Sequence, residues 1–161
     1  MRKYLIFLLL PLVLHSCGTA SRMGRADRPW SYEVENAGVG ADGVYALRVW
    51  SYYRTPDMPV TTAEKNAVHA VIFKGVPAGN GATAQPPLKT DGVTPSDSLF
   101  FENFFQNDYR AYVSSVASGS RQVMKTGKKE YKIGYFISVS KDRLRGYLEE
   151  KGIVKSLSSG F

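Results

Sequence analysis

Two stretches of strict alternation constrain this chain more than anything else in it. Val44 to Tyr53 sets Tyr45, Leu47 and Val49 on one side and Ala46, Arg48, Trp50 and Tyr52 on the other. That is the period of two by which successive side chains of a strand point to opposite sheet faces. In Tyr131 to Val139, Ile133, Tyr135, Ile137 and Val139 share one face. A strand with one apolar face must bury it under a second layer, and the segments between supply helices for that purpose.

The first helix is the best punctuated. Thr61-Thr62-Ala63-Glu64 reads as a capping box, with the Thr61 hydroxyl on an unpaired amide and Glu64 reaching back. Ala63, Ala67, Ala70 and Val71 follow at helical spacing, and Lys74-Gly75-Val76 supplies a terminating cation, glycine and apolar residue. So many alanines imply close approach to a sheet. Leu99, Phe100, Phe101, Phe104 and Phe105 make a short, very apolar helix. Tyr109, Tyr112 and Val113 either continue it past a break at Asn107 or begin a strand. Arg121 to Lys125 pairs with the strand from Tyr131 around Thr126-Gly127-Lys128-Lys129 as a hairpin. Ser140 is placed to cap a last helix with a Leu144, Tyr147, Leu148 stripe, ended by Lys151-Gly152-Ile153.

Trp30 to Glu35 alternates as a short edge strand, and Asn36 to Gly43 suits a turn. Pro77 to Ser96 is loop chemistry, and a loop of that length is expected to be functional or mobile. The expected fold class is α+β: a small, mostly antiparallel sheet with helices packed on one face. Its order is strand, helix, apolar helix, strand, strand, helix.

The N-terminus is a different kind of segment. Arg2 and Lys3 precede an unbroken apolar run from Leu5 to Leu14, then His15-Ser16-Cys17, which is the layout of an export signal. Such a run is shorter than the about 20 residues a permanent span needs. It also lacks the polar face of a packed helix. Leu14-His15-Ser16-Cys17 resembles the lipobox of bacterial lipoproteins, with His15 where a small or medium residue is usual. The resemblance implies diacylglycerol on the Cys17 thiol and cleavage before it. Cys17 is the chain's one cysteine, so no disulfide forms within it. Gly18-Thr19-Ala20-Ser21-Arg22 holds neither the Asp of inner-membrane retention nor the acidic cluster of surface export known from lipoprotein families. The expected address is the outer membrane, facing the periplasm. The expected organisation is a signal peptide (1–16), a lipidated tether (17–28), one α+β domain (29–156) and a short tail (157–161).

Without Arg2 and Lys3, the chain's 21 basic and 14 acidic side chains leave a net charge of +5. The charge is dispersed and forms no basic stripe interleaved with aromatics, so nucleic acid is not an expected partner. Arg22, Arg25 and Arg28 follow the lipid closely, as a solvated basic linker or as an aid to membrane attraction.

Catalytic chemistry has no foothold. No serine sits in a Gly-x-Ser-x-Gly elbow. Glu33/Glu35 and Glu149/Glu150 lack the context of a hydrolytic carboxylate pair. Gly38-Val39-Gly40-Ala41-Asp42-Gly43 precedes a strand, where a phosphate loop would follow one. Beyond the signal, His69 is the one histidine, with no second ligand for zinc, and reads as a partly exposed helix-face residue. No catalytic residue, metal or cofactor is expected. Arg48, Trp50 and Tyr52 are the candidate ligand-binding residues, since rings beside a guanidinium can stack on a sugar or peptide and hold an acidic group. The competing reading covers that face with a second layer, such as the Phe100–Phe105 helix.

The order of elements, with Tyr131-Lys132-Ile133-Gly134-Tyr135-Phe136-Ile137-Ser138-Val139-Ser140-Lys141 running into Leu144 and Leu148, is similar to a module of small outer-membrane lipoproteins and of the N-terminal domain of flagellar-assembly protein T. The similarity spans about Gly43 to Ile153. Val49-Trp50-Ser51-Tyr52 with Ala67 to Gly75 also resembles uncharacterised envelope lipoproteins of gut-commensal bacteria. Both resemblances imply an accessory or assembly role beside an envelope protein partner, without catalytic residues. Two other functions stand as alternatives: a small-ligand, glycan or cell-wall binder using the Arg48/Trp50/Tyr52 face, and an envelope hydrolase.

Overall fold

The computed structural model describes residues 24–40, 43–117 and 119–156. The expected signal peptide, Cys17, most of the tether and the tail lie outside the described residues.

Five strands build one antiparallel sheet. They are β1 (Tyr32–Val39), β2 (Val44–Tyr53), β3 (Val113–Val116), β4 (Gln122–Gly127) and β5 (Glu130–Ser140). The order runs β1, β2, β5, and both β3 and β4 pair with the far edge of β5. The two long alternating segments are therefore the central pair, in register from Val44 opposite Ser140 to Tyr53 opposite Tyr131. Helices α1 (Val60–His69), α2 (Ser98–Gln106) and α3 (Lys141–Glu150) lie on one side of the sheet. Leu47, Val49, Ile133, Ile137 and Val139 meet Ala63, Ala67, Phe104, Leu144 and Leu148 in a single core. The fold is α+β with helices on one face, as the alternation requires.

Several local expectations need correcting. β1 continues through Val39, because a bulge between Asn36 and Gly38 absorbs the irregularity that suggested a turn. There the Asn36 carboxamide oxygen accepts from the Gly38 amide at 2.9 Å. The capping box is absent: α1 starts two residues early, after Pro59, and no side chain caps it. Ser140 does not cap α3 either, since its hydroxyl pairs with Ser114. The C-terminal signal of α3 holds. Ile153 N–H donates to the Leu148 carbonyl at 2.9 Å and Gly152 N–H to that of Glu149 at 3.0 Å, the paired bonds of a Schellman motif. The undecided segment after Asn107 is a 3-10 turn, Asp108–Tyr112, leading into β3.

Residues 77–96 are pinned rather than free. Val76 and Gln85 exchange backbone hydrogen bonds, and Gly79 and Ala82 close a tight turn. Lys89, buried, binds Asp97 at 2.9 Å and Asp91 at 3.0 Å. These bonds satisfy a loop that would otherwise expose its backbone.

Candidate functional site

The face bearing Arg48, Trp50 and Tyr52 is turned away from the helices. The Phe100–Phe105 segment packs on the opposite side, so it is not the cover that the sequence suggested. The strand's own neighbours cover the trio instead. Cross-strand register sets Phe136 opposite Arg48, Gly134 opposite Trp50 and Lys132 opposite Tyr52. The result is a ladder of alternating rings and cations. The Arg48 guanidinium lies 5.1 Å from the Phe136 ring and 4.4 Å from that of Trp50. Lys132 Nζ lies 5.2 Å from Trp50 and 5.9 Å from Tyr52, and Arg25 stands 4.9 Å from Tyr52. Contacts of this type stabilise by about 0.5–1 kcal/mol each at exposed sites.

Carboxylates from β1 complete the ladder. Trp50 Nε1 donates to Glu35 at 2.9 Å, and the Tyr52 hydroxyl to Glu33 at 2.6 Å. Lys132 Nζ reaches the second Glu33 oxygen at 2.5 Å, and Arg25 donates to the Tyr52 oxygen at 2.7 Å. The bond from Lys132, with that from Tyr52, holds the Glu33 carboxyl below its usual range. Desolvation and the Glu33 partner raise Tyr52. Trp50 is 6 % exposed and Tyr52 7 %, and the Trp50 ring rests on Gly134, where an added Cβ would come within 2.6 Å of it. The trio has its polar groups satisfied within the chain and presents no open ring for a ligand to stack on.

A more open arrangement lies where β1 meets the end of α1. His69 is the last residue of α1, and Ala70–Lys74 continues as one wide π turn closed by Gly75 N–H on the Ala70 carbonyl at 2.8 Å. Widening frees backbone carbonyls, and the pinned loop takes them up. Leu88 N–H donates to Val71 and Lys89 N–H to Ile72. Gly75 has φ +76, and a Cβ there would lie 2.5 Å from the Gln85 carbonyl, so only glycine lets the loop pass so close. Single π turns of this kind recur at functional sites.

His69 sits in a nest of rings. Trp30 stacks on it with centroids 4.0 Å apart, Phe73 lies at 4.8 Å and Phe105 at 5.8 Å. The Tyr32 hydroxyl is 2.6 Å from His69 Nδ1. Burial raises the Tyr32 phenol, which therefore keeps its proton. Burial, and then the charge of Lys74, push His69 from 6.5 to about 3. Lys74 Nζ is 3.6 Å from the Tyr32 ring centroid and is lowered by burial. Beside this nest opens a cavity of about 220 Å³, walled by Trp30, His69, Phe73, Phe101 and Phe105 with Glu102 at its edge.

Trp30 carries φ +54, a conformation that costs a bulky residue on the order of 1–3 kcal/mol. It is also 38 % exposed. His69 is half-buried on the helix face, as the sequence reading has it, but that reading does not reach the ring nest, because its partners come from three separate segments. The one local hint was Trp30, a large ring just after a polar tether. Cys17, the other expected functional residue, lies outside the described residues. Among the described residues no cluster of three or more potential metal ligands occurs, and no helix is long and apolar enough to cross a membrane.

No family model, curated protein or solved structure matches this chain.

Proposed function

We propose that this chain is an envelope lipoprotein that acts as a non-catalytic binding or assembly module. Lipid on Cys17 holds it to the outer membrane, on the periplasmic side, and its folded part engages an envelope protein. The observation that carries the binding role is the ring-walled cavity beside His69. A neutral imidazole and four aromatic rings with one carboxylate at the edge favour an apolar or aromatic side chain, and disfavour an anion. A strained, part-exposed Trp30 supports the same reading, since strain of this kind gathers at ligand clamps. The glycan-binding alternative loses ground to the covered rings of Trp50 and Tyr52, and nothing favours the hydrolase.

The test is site-specific photocrosslinking in living cells, from a photoreactive residue at Val93, an exposed position beside the cavity. The expected result is a discrete adduct with one envelope protein that disappears in Trp30→Ala, while the melting temperature stays above ambient. Absence of an adduct, or one indifferent to Trp30, contradicts the proposal.

A further inference from the structure

Strand β4 and the turn that joins it to β5 stand clear of the core. All six residues of β4 are exposed, including Val123 at 38 % and Met124 at 44 %. Its end carries Lys125, Lys128 and Lys129, also exposed. Among the described residues no carboxylate pairs with these three. The acidic groups on this side are already committed. Asp27 pairs with Arg54, Glu33 with Lys132, and Glu35 accepts from Trp50. Glu130, the one carboxylate of the hairpin, accepts from the Thr126 hydroxyl at 3.1 Å and from the Arg25 amide at 2.9 Å.

That last bond fixes where the tether enters. The chain from Cys17 joins the fold beside the turn end of the basic hairpin, and Arg25 there forms the end rung of the ring-and-cation ladder. Six residues separate Cys17 from Gly24, and the seven steps between them span at most about 25 Å when fully extended. A lipid on Cys17 therefore keeps Glu130, and the lysines one to five residues before it, close to the bilayer surface.

We infer that the β4–β5 hairpin is a membrane-surface contact that binds anionic lipid headgroups through Lys125, Lys128 and Lys129. This rests on the lipid anchor proposed above. Each cation near an anionic leaflet favours the surface several-fold, so three shift the docked-to-undocked ratio by on the order of 100-fold. Docking the hairpin turns the tethered domain from a loosely swinging body into one with a fixed side toward the lipid. The competing role for lysines on an exposed edge is protection against strand-to-strand association, which any charge provides.

Full-length protein, purified from membranes and acylated on Cys17, is reconstituted into phosphatidylcholine vesicles with or without phosphatidylglycerol. Met124→Cys carries an environment-sensitive fluorophore, with acylated Cys17 leaving the new thiol as the one available for labelling. The expected result is brighter, blue-shifted emission on phosphatidylglycerol vesicles only, reversed by high salt and abolished by Lys125→Glu/Lys128→Glu/Lys129→Glu. Trypsin cleavage at the hairpin of the unlabelled protein, slowed on the anionic vesicles, gives a second readout independent of the label. Equal emission and equal cleavage on both vesicle types overturn the inference. So does an unchanged lipid preference after charge reversal, which assigns the lysines to edge protection. Mass analysis separates the two levels: an unacylated Cys17 defeats the anchor and this inference together, whereas an acylated protein with an indifferent hairpin defeats this inference alone.

Discussion

His69 illustrates how far a residue's behaviour is set by what folds around it. An exposed histidine titrates near 6.5, but here burial among Trp30, Phe73 and Phe105, together with Lys74, lowers it to about 3. The sign follows from linkage. Between pH 6.5 and about 3 the unfolded chain binds a proton at this imidazole and the folded chain does not, so acid favours unfolding. The His69 contribution to stability is complete above about pH 6.5 and is lost as the pH falls toward 3. The His69 ring resonances are expected to hold constant by NMR from neutral pH to below pH 4. His69→Phe should reduce the loss of urea resistance between pH 7 and pH 4.5, relative to the parent. A midpoint of titration near 6.5 would show instead an open, solvated ring. Nothing in the local sequence announces this environment, since Tyr32 and Phe105 lie tens of residues away on either side. The same holds for Trp50. Its alternation in β2 was legible and left an open surface and a covered one as competing readings. What decides between them is Gly134 beneath the ring and Arg48 and Lys132 beside it, which only strand register brings there.

Elements were more legible than sites. β2 and β5 declare themselves because alternation is local, and the α3 terminus because Lys151-Gly152-Ile153 encodes its own hydrogen bonds. The start of α1 misled, because a capping box fits Thr61 in sequence while the helix already begins at Val60, with Thr62 N–H donating to the Pro59 carbonyl. The segment 77–96, legible as loop chemistry, hid its order for a different reason. Its order comes from long-range bonds: Leu88 and Lys89 amides cap the π turn, and the Lys89 ammonium ties Asp91 and Asp97. Lys89 is the centre of that clamp, with its side chain 5 % exposed. Lys89→Met should cost on the order of 3 kcal/mol, because Asp97 loses its partner. Amide hydrogen exchange should accelerate through residues 88–97 before the sheet responds. Uniform exchange across the chain, unchanged in the segment itself, would mean that packing and not the clamp holds the loop.

At the scale of the whole molecule the sheet separates two surfaces. One side buries the helices and opens the His69 cavity at its margin, and the other carries the ladder of rings and cations into which the tether docks through Arg25. On the proposed anchoring, Cys17 sets where the cavity and the basic hairpin are presented. That makes Cys17 the residue on which the functional proposal depends most. The measurement that tests it is intact mass spectrometry of the protein extracted from bacterial membranes. The predicted spectrum corresponds to residues 17–161 with a diacylglycerol on Cys17, and a spectrum retaining residues 1–16, or showing a free Cys17 thiol, would contradict it.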